Sequence, residues 1–564
     1  MSSGLHWLGV LFTALWLTSP VTAAPVPLPN AKYEQPTIVF QTQHGQKFLD
    51  SAKKYVKLNG GTPEMVTRID DLLKGLLGEK GFAGLDLTRP FGGYVYLRAK
   101  VETSYMVLVL PITNEKDALE LVERIHLEAK ITKVKSVYEL GGGPFARDLT
   151  GHIRFHDKHA YVAIHAKPIE ENDAIDALGA TEKLIPVARL VDDKETAVLA
   201  ATLTGKRIPK GLTDEAYPLF DSANADVDRL MVRAPAGMPK NFPPFIKELL
   251  GWGRRSYDLM IADGDTLGLR ITFDEKMGDL DAEAILTPTA KSGLAQDLAS
   301  FTPAKGRFQQ LVTKDSVGGG WLVVPGPIPK GVRATFANFI AEWIPMLQKE
   351  TALPAEFLPL FDTMASIAQK AITAGEIDLG AAVSGPNKAG HYTVVAGLGL
   401  DDPTPLVKLV LGLAKDLPKE FVEAIKLNAY KIGDVSAHTF ALDKLLPEDF
   451  LKIFGEKPAL NIAVGNKGLF LAVGPGAEVE LKRALALKPL EATAFDIVVN
   501  LAKGKELVKS AGGNLRELEQ FPVPDRAISF YSVDIRGGKD LRVRGASGQL
   551  TLMMLMSGLT AAGR

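Results

Sequence analysis

Residues 152–165 (HIRFHDKHAYVAIH) and 461–474 (NIAVGNKGLFLAVG) align without a gap, 309 residues apart. Ile153 matches Ile462, Phe155 matches Val464, Tyr161 matches Phe470, and Asp157-Lys158 matches Asn466-Lys467. Apolar and polar residues alternate on each side of that dipeptide, the pattern of a β-hairpin closed by a two-residue turn. Asp and Asn tolerate the positive φ that such a turn requires. A helical segment follows each hairpin, EENDAIDAL in the first case and AEVELKRALAL in the second. A chain that carries this unit twice is constrained to a repeated architecture.

The correspondence extends upstream. Tyr105–Leu110 reads as a strand, Thr113 or Asn114 as an N-cap, and DALELVERI as an amphipathic helix. Tyr392 to Ala396, Asp401/Asp402 and PLVKLVLGL repeat that order, and Leu119 and Leu406 each lie 14 residues beyond their tyrosine. A weaker third copy begins at Leu280. Each unit opens with a strand and a helix. TIVFQTQ precedes a helix with Phe48, Ala52, Tyr55 and Val56 on one face, and SVGGGWLVV precedes one with Phe336, Phe339, Ile340 and Trp343.

At 564 residues the chain exceeds a single core and divides into about three to five units. The expected division is a signal peptide over 1–23, a proline-rich linker over 24–36, and α+β modules over 37–190, 191–310 and 311–490. A strand-rich segment over 491–564 completes it. Short strand-to-strand connections dominate, so the expected class is α+β, with mainly antiparallel sheet and helices packed on one face. This order of opening strand and helix, strand-helix pair and closing hairpin resembles a group of exported bacterial proteins of unknown function, built from repeated α+β modules. The resemblance implies a fold and no activity.

Trp7 to Leu17 (WLGVLFTALWL) is an apolar run of signal-peptide length, and Val21-Thr22-Ala23 supplies small residues for cleavage after Ala23. No later run is long enough to span a bilayer, so no transmembrane segment is expected in the mature chain. There is no cysteine and no Asn-x-Ser/Thr triplet, which suits a bacterial periplasmic or extracellular protein. The absence of cysteine also removes disulfides, thiolate metal sites and cysteine nucleophiles. With a net charge of −1 there is no basic excess, and nucleic acid is not an expected partner.

Four histidines fall in the first hairpin. A two-residue turn sets His156 opposite His159, with His152 and His165 diagonal on the same face. Ile153, Phe155, Val162 and Ile164 occupy the other face. The expectation is therefore a solvated histidine face without bound metal, and no catalytic, metal or cofactor residue is assigned. Ser51-x-x-Lys54, Ser222-Ala-Asn224 and Lys291-Ser-Gly293 follow the motif order of penicillin-binding proteins. Ser51 falls mid-helix, however, and the three motifs lie in different modules. The resulting expectation is an exported, non-enzymatic binding or structural protein whose partner is a protein or a small amphiphile, bound across the repeated sheets. The alternative is a serine acyl-transfer hydrolase using Ser51 and Lys54.

Overall fold

The structure is a computed structural model. It describes residues 34–58, 63–134, 136–146, 149–166, 178, 181–192, 195–214, 216–232, 238–274, 279–299, 301, 304–323, 329–350, 358–375, 377–400, 404, 408, 423–443, 448–465, 467–512 and 527–547. The signal segment, the linker before residue 34 and the helix expected after the first hairpin lie outside the described residues.

Through residue 299 the strands are β1 (Ile38–His44), β2 (Pro90–Tyr96), β3 (Tyr105–Pro111), β4 (Glu128–Ile131), β5 (Val137–Gly141), β6 (Leu149–His156), β7 (His159–Ala166), β8 (Leu199–Thr204), β9 (Gly264–Phe273) and β10 (Leu280–Pro288). The helices between them are α1 (Gly45–Leu58), α2 (Pro63–Leu77), α3 (Glu115–Arg124), α4 (Lys210–Asp214), α5 (Tyr217–Val232), α6 (Phe242–Asp263) and α7 (Gly293–Ala299). Beyond it come β11 (Lys305–Gly306), β12 (Ser316–Val323), β13 (Asp378–Ser384), β14 (Thr393–Gly399), β15 (Ile425–Ile432), β16 (Val435–Ala441), β17 (Ala459–Gly465), β18 (Gly468–Val473), β19 (Leu490–Glu491), β20 (Phe495–Asn500), β21 (Ala527–Arg536) and β22 (Leu541–Ser547). Their helices are α8 (Lys330–Glu350), α9 (Leu358–Ala374), α10 (Glu448–Phe454), α11 (Ala477–Leu485) and α12 (Leu501–Ser510).

The fold is α+β. Twenty of these strands form one sheet, and β11 pairs with β19 in a separate ribbon. Followed from neighbour to neighbour, the first ten run β4, β5, β6, β7, β3, β2, β1, β8, β9, β10. The next ten run β22, β21, β20, β12, β13, β14, β18, β17, β16, β15. Every pairing is antiparallel. The second series is the first read backwards, with β22 in the place of β10 and β15 in that of β4. The sheet therefore consists of two ten-strand units that meet where β10 pairs with β22.

The registers agree as well as the order. Gly151 pairs with Ile164 and Leu460 with Val473, so the two hairpins superpose under the 309-residue shift. Asp157 and Lys158 both take positive φ, at 46° and 55°, as does Lys467 at 58°. These left-handed residues match the turn twist to that of the strands. Asn114 is the N-cap of α3, its side chain accepting from Asp117 N–H at 2.9 Å. Two details of the repeat are corrected by pairing. Met106 pairs with Ile164 and Val394 with Val473, so Tyr105 corresponds to Thr393, one residue after Tyr392. The segment from Leu280 is not a third copy, because β10 has β22 as its counterpart.

Alternating side chains feed cores on both faces of the central strands. In the first unit Val107, Tyr161 and Ala163 pack with Leu184, Ile185 and Leu190, while Ala160, Val162 and Ile153 pack with Ala118 and Val122 of α3. In the second, Phe470 and Ala472 pack under Leu481 and Ala484 of α11, while Leu469 packs with Ile367 of α9.

The two covered faces overturn the expected solvated histidine face. The registration is as expected, with His156 opposite His159. Yet His152, His159 and His165 are 1%, 7% and 2% exposed, and of the four only His156 lies in water. The reason is that Tyr161 shares their face and is itself 1% exposed. Leu184, Ile185 and Leu190 pack over that face and α3 over the other, so neither is left to solvent at the centre of β7.

Candidate functional site

One departure from the repeat lies at α2. Its sequence, PEMVTRIDDLLKGLL, places Val66, Ile69, Leu73, Leu76 and Leu77 at helical spacing. Such a stripe ordinarily finds a core. None of its residues is buried, and Leu72 and Leu76 are 62% and 59% exposed. The counterpart helix α9 buries Ala365, Ile367 and Ile372 and is tied to α8 by Gln369 donating to Asn338 at 2.9 Å.

The connection after each helix accounts for the difference. Residues 375–377 join α9 directly to β13, whereas residues 78–89 separate α2 from β2. That longer segment wedges between α2 and the rest of the unit. Arg124, at the end of α3, holds it: Nε donates to Leu77 O at 3.2 Å, and one terminal nitrogen donates to Gly81 O at 3.1 Å and Ala83 O at 2.6 Å. Lys80 pairs with Glu120 at 2.9 Å. Gly84 takes φ +111°, and a side chain there would meet the Asp117 carbonyl.

An open cleft of about 700 Å³ results, between α1, α2 and this segment. Its apolar lining comes from Leu49, Leu73, Leu77, Phe82, Leu85 and Leu87. Charged groups edge it. Lys53 pairs with Asp70 at 2.5 Å, bridging α1 to α2. Lys74 pairs with Glu79 at 2.9 Å, and the Glu79 hydrogen bond holds its ammonium above the ordinary lysine range. Asp86 also lines the cleft, and its carboxyl is kept below the usual range by the Thr88 hydroxyl at 2.5 Å and by Arg89 at 2.8 Å. The interior is apolar and the margin carries both signs of charge.

The residues of the hydrolase alternative are placed far less suggestively. Ser51 is buried within α1, where its hydroxyl accepts from Gln43 Nε2 at 3.4 Å, while Lys54 points to solvent. Asn224 lies in α5 and donates to Phe220 O at 2.9 Å. Ser292 accepts from Ala295 N–H at 3.1 Å at the start of α7, and Lys291 precedes it at φ 65°. Asn224 and Ser292 serve their own helices, and Ser51 ties α1 to β1.

The buried histidines likewise have local partners. His159 Nδ1 lies 2.6 Å from Asp157 O, and its Nε2 is 3.4 Å from Arg89. His165 stacks on Tyr105 with ring centroids 4.9 Å apart. Among the described residues no group of three or more His, Asp or Glu side chains is arranged to hold a metal. No helix among the described residues is long and apolar enough to cross a membrane.

The apolar spacing of α2 is visible in its sequence, but the cleft is not. The available signal was the unequal length of the connection to the next strand.

No protein family and no curated protein matches this sequence. Two solved structures of TP0453, its crystal forms IV and I, are similar at 8% and 9% identity. Each match covers 45% of this chain, with 77% and 76% of the other chain and TM-scores of 0.22 and 0.21. A likeness at that score decides neither fold nor activity.

Proposed function

We propose that this is an exported binding protein without a catalytic role, and that it takes a small amphiphilic molecule in the cleft beneath α2. The observation that carries the reading is an apolar helix stripe with no core of its own above an apolar cleft of about 700 Å³. That volume is in the range of small-molecule sites, which are mostly apolar with a few polar groups at the margin. The faces of the central strands are filled by packing in both units, so the helical layer offers the better surface. An aliphatic chain would displace water from Leu49, Leu73 and Leu77, gaining roughly 0.8 kcal/mol per buried methylene. Its polar end would remain at the charged margin.

A fluorescent fatty-acid probe tests this in the folded protein. Leu73→Asp, which puts charge into the cleft, is expected to weaken binding at least about tenfold. Leu72→Asp, one position away on the exposed side, is expected to leave binding unchanged. Equal loss in both variants, or no binding by the parent, would reject the cleft as the site.

A further inference from the structure

The junction between the two units carries a charge pattern that the repeat alone does not require. Glu283 on β10 stands opposite Arg544 on β22 and, on its other side, opposite Arg270 on β9. Arg544 in turn stands opposite Asp534 on β21. Across four adjacent strands the row reads Arg, Glu, Arg, Asp. Arg544 also donates to the Asp281 carboxylate at 2.8 Å. These acids together hold its guanidinium above the ordinary arginine range, with the Asp281 hydrogen bond foremost.

Asp281 and Arg544 are the same position of the repeated unit. Ile271 pairs with Ala282 in the first unit and Val533 with Gly545 in the second, so Ala282 and Gly545 correspond, and with them their preceding residues. Because Ala282 also pairs with Gly545, the junction has a local two-fold relation. Two first units joined about that same axis would set Asp281 opposite Glu283 twice. Two second units would bring a pair of Arg544 side chains together on the diagonal. Like charges across strands are destabilising, and opposite charges favour pairing. The observed arrangement is the one that brings acid to base.

We propose that the acidic β10 edge and the basic β22 edge form a pairing code, by which each unit accepts the opposite unit, from its own chain or a second copy, and rejects its like. Discrimination arises from repulsion in the wrong pairing as much as from attraction in the right one. Asp281, the better shielded partner at 17% side-chain exposure against 56% for Arg544, is the less screened of the two charges.

The test uses the full chain with a protease site inserted after residue 302 and a tag on the first unit. Cut under native conditions and mixed with untagged cut protein, the tagged first unit is expected to retain second units and leave untagged first units behind. Arg544→Glu sets acid against acid. In the uncut chain it is expected to raise amide exchange over β10 and β22 about tenfold. Arg544→Met keeps the aliphatic stem without the charge and should give an intermediate rate, which preserves the test if the glutamate variant fails to fold. Asp281→Asn with Glu283→Gln should allow the tagged first unit to capture another first unit. Capture of first units by the parent protein, failure of the parent to retain second units, or parental exchange rates in both Arg544 variants would each overturn the proposal.

Discussion

Ala282 and Gly545 face each other on β10 and β22, and each is the other's counterpart in the repeated unit. A residue paired with its own equivalent marks the axis about which two like units are joined. Symmetric association through one self-matching surface is the commonest way for like units to pair. Here the units are covalently linked, and their free edge strands, β4 and β15, end up at opposite ends of the sheet. Both are blunted. β4 is a short strand bearing Glu128 and Lys130, and β15 is interrupted by a bulge at Asn428, with φ 50°. Short, charged or bulged edges resist further strand addition.

The axis gives a first prediction. A methyl group added at Gly545 would meet only Ser532 O, at an ordinary 3.7 Å. Glycine in a strand interior costs conformational entropy. Gly545→Ala should therefore stabilise the protein by about 0.5–1 kcal/mol, read as a higher midpoint in urea unfolding.

Arg124 holds the segment beneath α2 through three backbone carbonyls. Arg124→Ala leaves these acceptors to water and frees the segment. We expect a loss of about 2 kcal/mol together with weaker uptake of the fatty-acid probe. Faster amide exchange confined to residues 78–88 would locate the effect.

Burial lowers the proton affinity of His159 and of His438 below the ordinary value of 6.5. The fold thus favours both rings neutral, while the unfolded chain binds protons near 6.5. Stability from these groups is complete above that pH and declines as pH falls below it, toward their folded values. Urea midpoints at pH 7.5 and 5.5 should show the decline, and His159→Gln should reduce it. At pH 7.5, His156→Asn at the exposed turn should change stability by less than about 0.5 kcal/mol. His159→Asn, beside Arg89, should cost about 1–3 kcal/mol.

Export predicts a mature product that begins at Ala24. Intact-mass analysis of the protein recovered outside the cytoplasm of a bacterial host should show loss of residues 1–23. Full-length chain at that location would contradict the assigned cleavage.

The hairpin register, the Asn114 cap and the opening strand and helix of each unit were legible in the sequence because each depends on near neighbours. Alternation sets which side chains share a face, and a two-residue turn sets the pairing. Alternation does not say how many faces a sheet will have covered. Tyr161, on the face expected to be solvated, and Phe470 at the matching position are buried by Ile185 and Leu481 packing above them. The pairing of β10 with β22 joins residues far apart in the chain, between segments with little sequence likeness, so no local pattern announced it. The cleft under α2 is decided the same way. An apolar helix stripe is core when a short connection draws the helix onto its neighbour, as in α9, and is left open when residues 78–89 intervene, as in α2. Local sequence thus determined the elements and their internal registers. Tertiary structure determined which surfaces those elements were able to bury, because burial depends on partners that chain order alone does not bring together.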